Sequence, residues 1–348
     1  MKLKYRNCLE LAQELPWFEL DPNGLPRLAD PASVGPIIDF HQHFALMFFF
    51  SPPVDLHVRT DSPVMHDLRL DSVPVNLGLY SGVNLARARR HEMHDDYKQS
   101  FFSGEGPKNT HTAPNLLDEM DRCNIERGVI LAVDFPFGIQ NSQAYLDACD
   151  AYPRFVPYVA VNPLRPGWEE RLDRFVDAGA KGLKVHPYTN LLPCDHPRVM
   201  KVLKRWERTG LPILFHTASN GVEPDFLRML SRMRTYRKPL KEIRNCPLIM
   251  GHCGMDYYPQ AIDFAQEYDN VYLEIGGQPP SSLAHVFEHV DHNRILFGTD
   301  WPVYPLMLPL AKALIATDGD HTLRRKILYE NGRKLLLDSG AWIEPSSV

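Results

Sequence analysis

Two histidines spaced two apart, His41 and His43, close the apolar run that begins Ile37-Ile38-Asp39-Phe40. On a β-strand, residues i and i+2 share a face. Both imidazoles therefore aim at one point, and neutral imidazole is the commonest nitrogen ligand of a divalent metal. Further chemistry-bearing residues recur downstream where short apolar runs end. Lys184 and His186 stand in Gly182-Leu-Lys-Val-His, His216 closes Pro212-Ile-Leu-Phe-His, His252 closes Pro247-Leu-Ile-Met-Gly-His, and Asp300 closes Arg294-Ile-Leu-Phe-Gly-Thr-Asp. Three imidazoles and one carboxylate suit zinc and leave a position for water. The expected ligands are His41, His43, His216 and Asp300, around one divalent ion, zinc or alternatively manganese, with no second metal. A site charge of about +1 would draw the pKa of a bound water towards ~7. His252 is then expected beside the metal as general base or as the group polarising the substrate. Asp300 is a second candidate for taking the proton. Lys184, His186 and Glu274 are expected to contact substrate or support the ligands.

The runs that carry these residues belong to a repeat. A helical stretch at Asn7–Leu15 and a Pro- and Gly-punctuated piece precede the first strand, Pro36–His43. From residue 115 onward, helical patterns alternate with strands at 128–133, 155–161, 182–186, 212–216, 247–252, 271–275 and 294–300. Intervening helices are expected over 116–123, 143–151, 168–177, 196–208, 225–234, 261–268 and 283–290, with two more over 306–316 and 323–337. Eight apolar strands separated by amphipathic helices predict a (β/α)8 TIM barrel, whose strand C-termini converge on one face. An open doubly wound sheet is the competing architecture, but no G-x-G-x-x-G follows the first strand. The chain reads as one domain, 1–348. Its long insertion, residues 44–112, leaves the strand that carries His41 and His43. A structureless loop of that length is not expected inside a compact domain, so the insertion should fold as helices and cover the barrel mouth. Within it, Leu46–Phe50 reads as core packing, with an apolar substrate wall or a subunit contact as alternatives. Arg87, Arg89 and Arg90 read as a solvated helix face, with clamping of an anionic substrate as the alternative. His91-Glu-Met-His94 fails the helical i, i+4 spacing of H-E-x-x-H.

Asp39-Phe-His41-Gln-His43, Lys181-Gly-Leu-Lys-Val-His-Pro187, Phe215-His-Thr-Ala218, Gly251-His-Cys-Gly254, Phe297-Gly-Thr-Asp-Trp-Pro302 and Glu330-Asn-Gly-Arg-Lys-Leu-Leu336 follow one another in that order. Together they resemble the amidohydrolase superfamily, in its amidohydrolase-related, aminocarboxymuconate-semialdehyde decarboxylase-like branch, over roughly residues 36–337. The resemblance implies a barrel with one divalent metal. It assigns His41, His43, His216 and Asp300 as ligands and His252 as the catalytic histidine. Lys184 stands where binuclear members carry a carbamylated, metal-bridging lysine. Contact with a substrate carboxylate or a neighbouring acid is the reading preferred here. Met255 and Asp256 follow Gly254, where the family often carries glycines.

Composition bounds the rest. The chain has 348 residues and a formal net charge of -5, with no basic block to attract nucleic acid. No apolar run approaches the roughly 20 residues that a membrane span needs. Six cysteines without a C-x-x-C pair fit a reduced, cytoplasmic protein. No G-x-S-x-G elbow supports a serine nucleophile. A homodimer is expected. The expected activity is metal-dependent hydrolysis of a small carboxylated or cyclic ester or amide, of lactone type, by metal-activated water. The alternative is non-oxidative decarboxylation of a small aromatic or unsaturated carboxylic acid on the same site. A non-catalytic metal-binding module is the distant alternative.

Overall fold

Eight parallel strands form one sheet: β1 (Ile37–Gln42), β2 (Ile125–Leu131), β3 (Phe155–Val159), β4 (Gly182–Val185), β5 (Ile213–His216), β6 (Leu248–Gly251), β7 (Val271–Glu274) and β8 (Ile295–Leu296). The structure is a computed structural model that describes residues 2–47, 53–60, 70–71, 73–84, 95, 105–219 and 225–342. Each strand pairs with its sequence neighbour, from β1 round to β8. The ring closes where Phe40 N donates to Phe297 O at 2.9 Å, Asp300 N to His41 O at 2.7 Å and His43 N to Trp301 O at 2.7 Å. This is the (β/α)8 barrel that the alternation predicted. Helices Ala113–Arg122, Asn141–Ala151, Trp168–Asp177, Pro197–Trp206, Tyr258–Glu267, Pro280–His289 and Met307–Ala316 lie between or after the strands. Pro114, Pro197, Pro259 and Pro280 sit in the first two positions of their helices, where no N–H partner is needed.

Alternation along the strands separates two apolar layers. Val129, Leu131, Val156, Tyr158, Leu214, Ile249 and Leu296 form one cluster with Ile38 and Phe40. Their neighbours Ile130, Phe155, Leu183, Ile213, Phe215, Leu248 and Leu273 pack into the larger cluster that includes the helices. His216 lies two residues beyond Leu214 and continues its face, as Glu274 continues that of Tyr272. Polar groups thus form the last layer at the C-terminal end.

Four local expectations are corrected. The last strand is only Ile295–Leu296, because residues 297–301 meet the first strand through isolated bonds rather than a regular ladder, and Gly298 leaves room there for the Glu274 carboxyl. The helix expected over 225–234 is broken into Asp225–Arg228 and two 3-10 turns, Met229–Ser231 and Met233–Tyr236. Two hydrogen bonds pin it there, between Tyr188 Oη and Ser231 Oγ and from Tyr236 Oη to His216 O, both 2.6 Å. The terminal helix is interrupted by a π turn, Lys326–Glu330. Short strands also went unforeseen: Phe18–Leu20 pairs with Pro26–Leu28, and Lys4–Tyr5 pairs with Val75–Asn76 of the insertion. The insertion is therefore not helical throughout. Leu46 and Met47 are buried, and Leu46 packs on Val133. Residues 48–50, Arg87, Arg89, Arg90 and His91–His94 lie outside the described residues.

Candidate metal centre

The strand ends gather His41, His43, Lys184, His252, Glu274 and Asp300 through direct contacts, His216 joins them through His252, and His186 stacks on His216. His41 is fixed first. Its Nδ1 donates to Glu274 Oε2 at 2.7 Å, so Nε2 carries the lone pair. Glu274 Oε2 also accepts from His252 N at 2.9 Å, and Oε1 accepts from Gly276 N. Burial pushes the Glu274 carboxyl up to about 8, against those backbone donors. With the His41 N–H added, three donors favour its ionised form. His43 is oriented in the same way by a backbone oxygen: its Nδ1 donates to Leu131 O at 2.6 Å, leaving the lone pair on Nε2. That Nε2 lies 3.4 Å from Asp300 Oδ1, and His41 Nε2 lies 3.6 Å from the same oxygen. Asp300 Oδ1 thus faces two imidazole nitrogens, one of which also takes Lys184 Nζ, and such a convergence of acceptors favours a cation among them.

On the opposite side, His216 Nδ1 and His252 Nε2 are 3.2 Å apart. Whichever donates, His216 Nε2 and His252 Nδ1 remain buried without a partner. An orphaned buried nitrogen costs about 1–3 kcal/mol, so these atoms await a ligand. The His252 ring stacks on His41 at 4.3 Å and meets His216 edge-on at 4.9 Å. His186 stacks on His216 at 4.0 Å. Burial holds the pKa of His41, His186, His216 and His252 well below 6.5, reinforced by their mutual proximity and by Lys184. All four rings are therefore neutral and able to offer lone pairs. Lys184 Nζ donates to His41 Nε2 at 3.1 Å. Burial pulls its pKa down to about 7, while Asp300 and Glu274 pull it back up.

The donor set fits a divalent cation. The three groups whose ligand atoms all lie within 4.8 Å of one another are His41, His252 and Asp300. His252, expected beside the metal, is in this trio, whereas His43 and His216, expected as ligands, are not. The cluster opens at Asp300, whose side chain is 13% exposed, whereas His41 is 1% exposed.

Several contributors have roles that the sequence reading did not assign. Asp39 clasps the closing seam. Its Oδ1 accepts from His41 N and Thr299 N, and its Oδ2 from Gln42 Nε2 and Thr299 Oγ1. Its burial raises its pKa to about 7 against those four donors. The backbone is left-handed at His252, Cys253 and Asp300, with φ of 60°, 49° and 66°. Met255 has φ 50° and ψ -123°, a conformation that favours glycine. Gln278 Nε2 holds this turn by donating to His252 O and Met255 O. From the insertion, Tyr80 presents its ring edge to His252, with centroids 6.4 Å apart.

A barrel closed on itself, with histidines and an aspartate converging at its C-terminal end, defines a class of metal-centred (β/α)8 enzymes. The family model described as Amidohydrolase matches residues 38–337, and the chain belongs to this enzyme family. Among solved structures, the chain is similar to 2,6-dihydroxybenzoate decarboxylase from Rhizobium, at 16% identity and TM-score 0.59, over 87% of this chain and 99% of that one. It is also similar to 5-carboxyvanillate decarboxylase from Sphingomonas paucimobilis, at 14% identity and TM-score 0.57, over 86% and 98%. A third is a probable 2-pyrone-4,6-dicarboxylic acid hydrolase from Acinetobacter baumannii, at 15% identity and TM-score 0.53, over 86% and 99%. No curated protein sequence matches the chain. Among the described residues, no helix is long and apolar enough to cross a membrane.

Proposed function

We propose that this protein hydrolyses a small carboxylated or cyclic ester or amide at one divalent metal, zinc by its mixed nitrogen–oxygen donors, with manganese as the alternative. The observation that carries the reading is the convergence of His41 Nε2 and His43 Nε2 on Asp300 Oδ1. In this reading His41, His43, His216 and Asp300 hold the ion, and Glu274 and the Leu131 carbonyl fix the tautomers of the first two. The metal, when bound, polarises a substrate oxygen and acidifies water. His252 is the proton-handling group: its ring is neutral, walled in and held with one nitrogen free of protein partners. Lys184 is placed to donate to an anionic oxygen of the substrate beside His41. The insertion, residues 44–112, would cover the mouth, as Tyr80 beside His252 suggests.

The second reading is non-oxidative decarboxylation of a small carboxylic acid on the same residues. Two structural neighbours named as decarboxylases favour it, as does the near-complete burial of His41 and His252, since charge loss from a carboxylate is helped by excluding water. There the substrate carbon takes a proton in place of carbon dioxide. A reduced cytoplasmic setting agrees with six free, buried cysteines. The experiment has two parts. Elemental analysis of purified protein should find about one divalent ion per chain, lost in Asp300→Ala and His216→Ala. Full occupancy in both variants overturns the ligand set. A screen of lactones, amides and aromatic acids, scored for acid release against carbon dioxide release, then separates the two reactions.

A further inference from the structure

The His252 ring is walled by His41 and His216 from the strand ends, and by Tyr80 from the insertion. Tyr80 is itself 3% exposed and sits in a short segment held by an unusual tether. Lys312, in the helix Met307–Ala316 that follows β8, is fully buried. Its Nζ donates to Leu79 O at 2.8 Å, Ser81 Oγ at 2.7 Å and Gly277 O at 2.8 Å. Two of these acceptors flank Tyr80 in sequence. The third lies just beyond Glu274, in the loop after β7. Ser81 N also donates to Gly277 O at 2.9 Å. Gly277 has φ +79°, and a Cβ there would come within 2.9 Å of the Tyr80 ring, so the loop makes direct room for the aromatic. A buried lysine is a costly way to fill space unless its hydrogen bonds serve the groups around it. What the lysine adds is a fixed spacing between the insertion and the β7 loop.

We propose that Lys312 is a positioning residue, which locks Leu79 and Ser81 to Gly277 and thereby seats Tyr80 against the His252 imidazole. The role it serves rests on His252 being the proton-handling group. The seating itself does not, and the two are separable by experiment. Diethyl pyrocarbonate acylates neutral imidazole nitrogen and reports whether the His252 ring is reachable. Protein with its metal bound is treated with the reagent, and modified histidines are quantified by peptide mass mapping. His289, whose side chain is 40% exposed, serves as internal control. In Lys312→Met, His252 should be modified faster by about tenfold, since losing hydrogen bonds to a buried ammonium populates the open segment. Tyr80→Ala should match it, Tyr80→Phe should stay at the wild-type rate, and His289 should not change. A wild-type rate at His252 in Lys312→Met, or in Tyr80→Ala, overturns the proposal. If Lys312→Met does not fold, Ser81→Ala removes one acceptor and should give an intermediate rate; an unchanged rate there is equally fatal. Unimpaired turnover in His252→Asn would instead sink the assigned chemistry and leave the seating result standing.

Discussion

Lys184 and Lys312 are two fully buried lysines with opposite surroundings. Burial pulls the pKa of each down to about 7. Lys312 meets three neutral oxygens, one for each N–H of an ammonium, and links two segments of backbone. Lys184 donates to one imidazole nitrogen whose lone pair the neighbouring acceptors also need filled, and it lies near the carboxyls of Asp300 and Glu274. A saturated buried cation is architecture. An unsaturated one beside converging lone pairs belongs to a site whose chemistry is incomplete without another participant.

The contrast can be broken most forcefully at His252. His252→Asn is expected to keep its metal and lose turnover by ~10²-fold or more, in kcat rather than KM. Metal content and kcat from the same preparation decide this, and loss of both together would make His252 a ligand. Next come the lysines themselves. Lys312→Met takes the lysine donor from Leu79 O and Ser81 Oγ, while Gly277 O keeps Ser81 N; it should destabilise by about 2–4 kcal/mol, whereas Lys184→Met should stay within about 1 kcal/mol or stabilise, because it removes an incompletely partnered charge. Equal urea midpoints for the two variants would erase the distinction.

A pH series sharpens it. Unfolded, Lys312 holds its proton to pH 10.5; folded, it releases it near 7. Between those values the unfolded chain binds more protons, so stability rises with pH through that window, by at most about 1.4 kcal/mol per unit. The advantage of wild type over Lys312→Met should therefore grow from pH 7 to pH 10, because Lys184 contributes equally to both proteins and cancels. A constant difference would mean that Lys312 keeps its charge in the fold. The smallest effect belongs to strain outside the site. Leu191 caps the turn Pro187–Asn190 at φ 54° and is 39% exposed. Leu191→Gly should raise stability by about 0.5–1 kcal/mol without touching turnover. Loss of activity would tie even this left-handed residue to the centre.

All eight strands were legible because each is a short apolar run between helices, and the strand-end rule then placed His41, His43, His216, His252 and Asp300 together. What escaped was whatever depends on backbone partners. Lys312 lies in an apolar helix, and nothing in its flanks signals that carbonyls of residues 79 and 277 will meet it. The two- and three-residue strands at 4–5, 18–20, 26–28 and 75–76 are too short to show a period. The true length of β8 was hidden because the apolar run continues to Phe297 although the residues beyond Leu296 meet β1 only through isolated bonds. Asp39 could be read as part of a motif but not as the clasp of a seam, since its partner Thr299 is 260 positions away.

That seam has a consequence for how the protein comes into being. The first strand supplies His41 and His43, and the turn after the last supplies Asp300, so no contiguous fragment shorter than most of the chain contains the ligand set proposed above. The nascent polypeptide must carry unpaired β1 edges until residues 297–301 emerge to pair with them. An ion held by the proposed ligands would stabilise the closed ring by mass action. If the proposed ligands hold the ion, its uptake would report the completion of the barrel, and a chain stopped before Thr299 should bind it more weakly.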